Sequence, residues 1–102
     1  MAERRQYLMI TAAFPYHKRA EVGAKKEELD KKFPVNALGT KVITSVILPA
    51  REGVKSIFIA DPPEEKFLDY YEHITNRQME FSSVEGYVFK TEICSKINFP
   101  FE

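Results

Sequence analysis

The sequence predicts a single α+β domain, and its length and the order of its segments are what predict it. The chain has 102 residues, which suits one domain and leaves no room for a second. Strand-like and helix-like segments follow one another in the order strand, helix, strand, strand, helix, strand. We therefore expect one domain over residues 1–102, with short tails at 1–5 and 96–102.

The first half of the chain contains a strand and then a charged helix. Residues 6–14 are apolar and β-prone, and a proline ends the run. The helix is predicted over about 16–33, where Val22, Leu29 and Phe33 recur at i, i+7 and i+11. At 100° per residue these three lie within about 40° of one another, on one face. A proline directly after Phe33 ends the helix, because the residue before a proline disfavours the α region.

The second half begins with a predicted hairpin. The β-rich runs 40–48 and 54–60 are separated by a segment that contains a proline and Gly53, as turns commonly do. Asp61, followed by two prolines and two glutamates, predicts a helix start with a capping aspartate. The last strand is predicted at 84–94. The inner side of the second helix is predicted to carry Phe67, Tyr70, Tyr71, Ile74 and Gln78.

This order of elements is the split βαβ, or ferredoxin-like, arrangement βαββαβ. It predicts a four-stranded antiparallel sheet with both helices on one face. Strand alternation leaves large apolar groups on both faces, with Leu8 on one side of the first strand and Met9 on the other. Alternation also groups Val42 with Thr44, Val46 and Leu48. A bare apolar face would exceed the roughly 400 Å² tolerated on a small domain, so we expect a second copy to cover it.

The element order, the length and the apolar second face resemble the dimeric α/β-barrel superfamily, in which two ferredoxin-like chains pack sheet against sheet. The resemblance implies a homodimer formed through the sheet face. It admits two hypotheses of function. The first is a small homodimeric α/β-barrel protein that binds a small apolar or aromatic molecule. The alternative is a cofactor-free monooxygenase- or isomerase-like enzyme, with a cavity between helix and sheet.

Four residues are candidates for a ligand-binding role. Only Tyr16, His17, Tyr71 and His73 could place a polar group in such a cavity, by their positions on the predicted helices. The aromatic stripe that includes Tyr71 more commonly forms core. Haem-degrading relatives use a histidine on the second helix together with a tryptophan, and this chain has no tryptophan, which argues against a haem role.

Composition excludes several other classes. Fifteen basic and fifteen acidic residues give zero net charge, which argues against nucleic-acid binding. No apolar run approaches the length that crosses a bilayer, so no membrane partner is expected. The single cysteine, Cys94, favours a reducing cytoplasm and excludes an internal disulfide. Two histidines without metal-ligand spacing predict no metal, and we expect no cofactor.

The C-terminal segment is unusually apolar for a tail. It contains Ile97, Phe99 and Phe101, with a proline between the two phenylalanines. Because burial of such side chains contributes roughly 1.5–3 kcal/mol each, we expect the segment to dock on its own helices or on the partner chain.

Overall fold

A computed structural model of the chain describes residues 6–51 and 53–95. The order of elements confirms the predicted ferredoxin-like arrangement. Four short 3-10 turns, at Tyr16–Lys18, Ala37–Gly39, Glu64–Lys66 and Phe81–Ser83, connect the larger elements. The strands and helices are β1 Gln6–Pro15, α1 Arg19–Lys32, β2 Lys41–Ala50, β3 Gly53–Asp61, α2 Phe67–Glu80 and β4 Val88–Ser95.

The strands form one antiparallel sheet in the order β2-β3-β1-β4. Leu8 of β1 lies opposite Ala60 of β3 and Ile93 of β4, so these three residues share a face. Leu8 and Ala60 are completely buried against Tyr70 of α2. The Leu8 face is therefore the one that the helices cover, and we call the opposite side the open face.

A β-bulge in β2 overturns one expectation from strand alternation. The register shifts between Val42 and Thr44, and Ile43 between them is 47% exposed. Because side chains alternate between the two faces of a sheet, the extra residue moves every later side chain of β2 to the opposite face. Beyond Val42 the residues therefore change sides: Ser45, Ile47 and Pro49 join the helix-covered face, whereas Thr44, Val46 and Leu48 join the open face.

Two predicted boundaries are also corrected. Asp61 is the last residue of β3 and pairs with Lys41, so it does not cap a helix; α2 begins at Phe67 after a 3-10 turn, without a side-chain cap. β4 begins at Val88, four residues later than expected, because Gly86 turns the chain with φ of +87°. A Cβ on Gly86 would lie 2.6 Å from Cγ of Pro15, so the Gly86 backbone packs closely against the proline ring.

Two clusters make the core. Tyr70 and Ile74 of α2 pack on Leu8, Ile10 and Ala60 of the sheet. The second cluster joins α1 to the end of α2 and contains Val22, Leu29, Phe81 and Val84. The residues of the predicted C-terminal docking segment lie outside the described part of the chain.

Candidate functional site

A cavity of about 610 Å³ lies between α1 and the sheet in the described structure. Its floor is apolar and comes from three strands, and α2 closes one side. The bulge in β2 matters here, because it turns Ile47 and Pro49 toward the cavity. The floor residues are Ile10, Ala12, Phe14, Val42, Ile47, Pro49, Val54 and Phe58, with Ser45 and Ser56 among them.

The roof of the cavity belongs to α1 and, apart from Val22, consists of solvent-exposed residues that are mostly charged. Arg19, Gly23, Lys26 and Asp30 line it at i, i+4, i+7 and i+11. At 100° per residue this spacing confines the four to about 60° of the helix surface. The buried side chains of α1 occupy the neighbouring strip, so the helix presents a narrow apolar contact beside a charged strip that faces the cavity.

A charged group joins the roof to α2. Asp30 accepts hydrogen bonds from Lys26 through Oδ2 and from Arg77 through Oδ1, each at 2.8 Å. The Lys26 ammonium, assisted by the Arg77 guanidinium and opposed by partial burial, holds the pKa of Asp30 below its ordinary value. Arg77 is only 4% exposed and also donates to the carbonyl oxygen of Phe33 at 2.8 Å. Its guanidinium therefore fastens the C-terminal end of α1 to α2.

A half-buried tyrosine, Tyr87, supplies a second polar group. The ring of Tyr87 stacks between Phe14 and Phe81, with ring centroids 6.0 and 4.8 Å apart. Nε2 of Gln78 donates to the Tyr87 hydroxyl at 3.0 Å. Burial raises the pKa of Tyr87, outweighing the opposite effects of Gln78 and Arg77, so the phenol stays neutral at physiological pH. Tyr87, Gln78 and Arg77 all line the cavity.

The four residues predicted from sequence are not brought together. Tyr16 lines the cavity at its rim, is 58% exposed, and lies under the Arg19 guanidinium, 4.1 Å from ring centroid to Cζ. His17 is exposed and does not line the cavity. His73 contacts the carbonyl oxygen of Pro34 through Nε2 at 2.8 Å, and Tyr71 packs against the core cluster of α2. Neither lines the cavity.

The aromatic stripe of α2 is core, as the more common role of such stripes suggests. Tyr70 is completely buried, and its hydroxyl donates to the carbonyl oxygen of Val35 at 2.6 Å. Apart from Tyr16, the polar residues that line the cavity were not among the predicted site residues. A signal for Arg77 existed, because it falls seven residues after Tyr70 and three after Ile74, on the inner side of the helix. No pattern in the sequence marked Tyr87 as a cavity residue, because the sequence predicted a regular strand over 84–94.

The described residues contain neither a metal-ligand cluster nor a helix that could span a membrane. Within residues 6–51 and 53–95, no group of three or more His, Cys, Asp or Glu could hold a metal ion. In the same part of the chain, every helix is too short or too polar to cross a membrane. The thiol of Cys94 points to the carbonyl oxygen of Tyr7 at 3.6 Å, and burial together with the Glu92 charge raises its pKa.

Comparison with known proteins identifies the fold. No family model and no curated protein matches the sequence. The structure is similar to a Caulobacter crescentus protein described as a "putative antibiotic biosynthesis monooxygenase", with a TM-score of 0.60, 11% identity and coverage of 93% of this chain and 92% of that one. A protein of the same description from Nitrosomonas europaea gives a TM-score of 0.56 at 14% identity, covering 98% and 97%.

A third similar structure is a "dimeric ferredoxin-like protein" from an uncultured marine organism, with a TM-score of 0.57, 14% identity and coverage of 95% and 99%. The chain has the ferredoxin-like fold. A de novo designed protein matches this ferredoxin-like domain as well, with a TM-score of 0.53, 16% identity and coverage of 90% and 89%. At these identities the likeness is one of fold, and fold does not imply function.

Proposed function

We propose that the protein is a homodimeric ferredoxin-like domain that binds a small, largely apolar molecule beneath α1. The cavity of about 610 Å³ carries this proposal. Small-molecule sites typically measure about 300–1,000 Å³ and combine apolar walls with a few polar groups, which describes this cavity. A chain of 102 residues has little volume to spare, so a space of this size beside a sheet favours an occupant.

The Tyr87–Gln78 pair would orient that occupant. Because Tyr87 accepts a hydrogen bond from Gln78, its own hydroxyl hydrogen is free to be donated to an oxygen atom of a ligand. The stacked rings of Phe14 and Phe81 hold the phenol in one orientation, which lowers the entropic cost of that contact. A bound molecule with a carbonyl or hydroxyl oxygen at this end would fit the pair.

Binding accounts for the described lining residues better than catalysis does. None of them is a histidine, and their one carboxylate, Asp30, is already held by two cations. A cofactor-free monooxygenase or isomerase commonly needs a group that moves a proton at neutral pH, and the raised pKa of Tyr87 makes it a poor base. We therefore favour binding over the enzymatic alternative.

The cavity can be tested with N-phenyl-1-naphthylamine, a neutral probe that fluoresces when buried. We expect saturable binding to the native chain and at least tenfold weaker binding to Gly23→Leu. No heavy atom lies within 4 Å of a Cβ built on Gly23, so a leucine there would extend into the cavity. Ala24→Leu is the matched control, because Ala24 is exposed and does not line the cavity. Equal binding to both variants would refute the proposed site.

The open face supports the dimeric part of the proposal. Val46, Leu48 and Val88 are exposed there, and the described helices lie on the other side of the sheet. We expect sedimentation equilibrium at micromolar concentration to give about twice the 11.8 kDa chain mass. Met9→Lys or Ile57→Lys, both on the open face, should give folded monomers. Leu68→Lys, at an 80% exposed position on α2, should remain dimeric. A native monomer would contradict this part.

A further inference from the structure

The charges around the cavity are unbalanced, although the chain as a whole is neutral. Among the described residues, the lining includes three cations, Arg19, Lys26 and Arg77, and one anion, Asp30. Fifteen basic and fifteen acidic residues cancel over the full sequence. The excess positive charge is therefore a property of this cavity.

The hydrogen bonds show where the excess lies. Asp30 compensates for one charge but is shared between Lys26 and Arg77, one on each carboxylate oxygen. Arg19 has no carboxylate partner in the described part of the chain; its guanidinium lies over the ring of Tyr16. Such a contact leaves the guanidinium edge able to donate hydrogen bonds. Arg19 and Lys26 are both exposed, so their attraction for an anion acts partly through solvent and depends on salt concentration.

The space between the two cations of the roof is open. Gly23 lies between Arg19 and Lys26 on the same strip of α1, and no heavy atom is found within 4 Å of its missing Cβ. Its backbone φ is not in the left-handed region, so the helical turn itself does not require glycine. The absence of a side chain gives a ligand access to the helix surface between two positive charges.

From this arrangement we infer that the ligand is an amphipathic anion: a small aromatic or aliphatic body carrying one carboxylate or sulfonate. The body rests on the apolar floor, and the anionic group lies at Gly23 between Arg19 and Lys26. This inference rests on the proposed binding function and adds the chemical class of the ligand to it.

Two probes with one skeleton test the inference. 8-Anilinonaphthalene-1-sulfonate carries an anionic group that N-phenyl-1-naphthylamine lacks. We expect Arg19→Gln and Lys26→Gln each to weaken binding of the sulfonate about three- to fivefold while leaving the neutral probe unchanged. Added salt should weaken only the sulfonate. Lys31→Gln is the matched control: it removes the same charge from an exposed position of α1 that does not line the cavity. Circular dichroism verifies that each variant is folded.

The outcomes separate this inference from the proposed function. If the neutral probe binds in the cavity but Arg19→Gln and Lys26→Gln leave the sulfonate unaffected, the anionic class is wrong and the binding function stands. If Lys31→Gln weakens the sulfonate as much as the other two variants do, general surface charge explains the effect and the inference is overturned. If neither probe binds, or Gly23→Leu retains both, the proposed function fails and this inference fails with it.

Discussion

The two helices of this domain have 14 residues each, yet they contact the sheet in different ways. α2 lays Tyr70 and Ile74 directly on β1 and β3, and both residues are at most 1% exposed. α1 buries only Val22 and Leu29, and it packs on the end of α2 instead of the centre of the sheet. The difference shows that α2 makes the main contact with the sheet, while α1 covers the cavity and adds only two buried residues to the core.

Polar contacts at the C-terminal end of α1 hold this helix against α2 and away from the centre of the sheet. Arg77 binds Asp30 and the carbonyl oxygen of Phe33, and Lys32 pairs with Glu80 at 3.3 Å. Toward its N-terminal end, α1 has open space at Gly23, where no heavy atom lies within 4 Å of a Cβ built on that residue. A helix that is held mainly at one end leaves a cavity between itself and the sheet. A helix with a continuous apolar stripe would pack along the sheet and fill that space.

The largest expected effect distinguishes the two helices by their packing. Ile74→Ala should lower the free energy of unfolding by about 3 kcal/mol, because a fully buried side chain leaves a void in the core. Val22→Ala should cost about 1.5 kcal/mol, because it removes two carbon atoms where Ile74→Ala removes three, and Val22 is 9% exposed. Urea denaturation measures both values. Equal losses would mean that α1 is as tightly packed as α2.

Removing the contact between the helices should have the next largest effect. Arg77→Met leaves the Phe33 carbonyl without its donor and Asp30 without one of its cations, so we expect a loss of about 2 kcal/mol. Lys32→Met is the control: its pair with Glu80 is exposed and should contribute less than about 0.5 kcal/mol. Thermal unfolding compares the two variants, and a similar loss in both would contradict the anchoring role of Arg77.

The core tyrosine of α2 should make stability sensitive to alkaline pH. Burial raises the pKa of the Tyr70 phenol in the folded protein, whereas in the unfolded chain this phenol ionises near pH 10. The contribution of Tyr70 to stability is therefore complete below about pH 10 and declines above it. Tyr70→Phe should cost about 1 kcal/mol at pH 7 through loss of the bond to Val35, and should flatten the decline above pH 10. Melting temperatures from pH 8 to 11.5 test this, with Tyr16→Phe, at an exposed tyrosine, as control. An unchanged slope in Tyr70→Phe would refute the assignment.

The smallest expected effect is a gain of stability in α1. Gly23→Ala should stabilise the protein by about 0.5–1 kcal/mol, because the position is helical and open and alanine restricts the unfolded chain. The same change at Gly86 should destabilise, since φ there is +87° and a Cβ would meet Pro15. Thermal melts of both variants measure the opposite signs. A loss at Gly23 would contradict the open space around this position of α1.

Local signals in the sequence predicted most of the fold. Each of these signals lies within a short stretch of sequence: the apolar spacing of α1, the aromatic stripe of α2 and the turn before Gly53. The errors occurred where a distant contact decided the outcome. Gly86 turns against Pro15, which lies 71 positions earlier in the chain, and shortens the last strand. The residues directly around Ile43 include no glycine or proline that would have indicated the β-bulge.

The candidate site was predictable only in part, because it is assembled from separated segments. Tyr16 was expected in the cavity and lines it, while Arg77, Gln78 and Tyr87 were recognised only in three dimensions. His73 was expected near a ligand, but its ring bonds the Pro34 carbonyl away from the cavity.

The sequence by itself determined the order of the strands and helices, the inner sides of both helices and the apolar character of both sheet faces. Hydrophobic periodicity encodes these features locally. Only the tertiary structure decided which sheet face the helices cover, where β2 changes its facing, and that α1 stands above the sheet with its charged strip over an apolar floor. Those features depend on how distant segments pack, and the periodicity of one segment carries no information about the spacing between two.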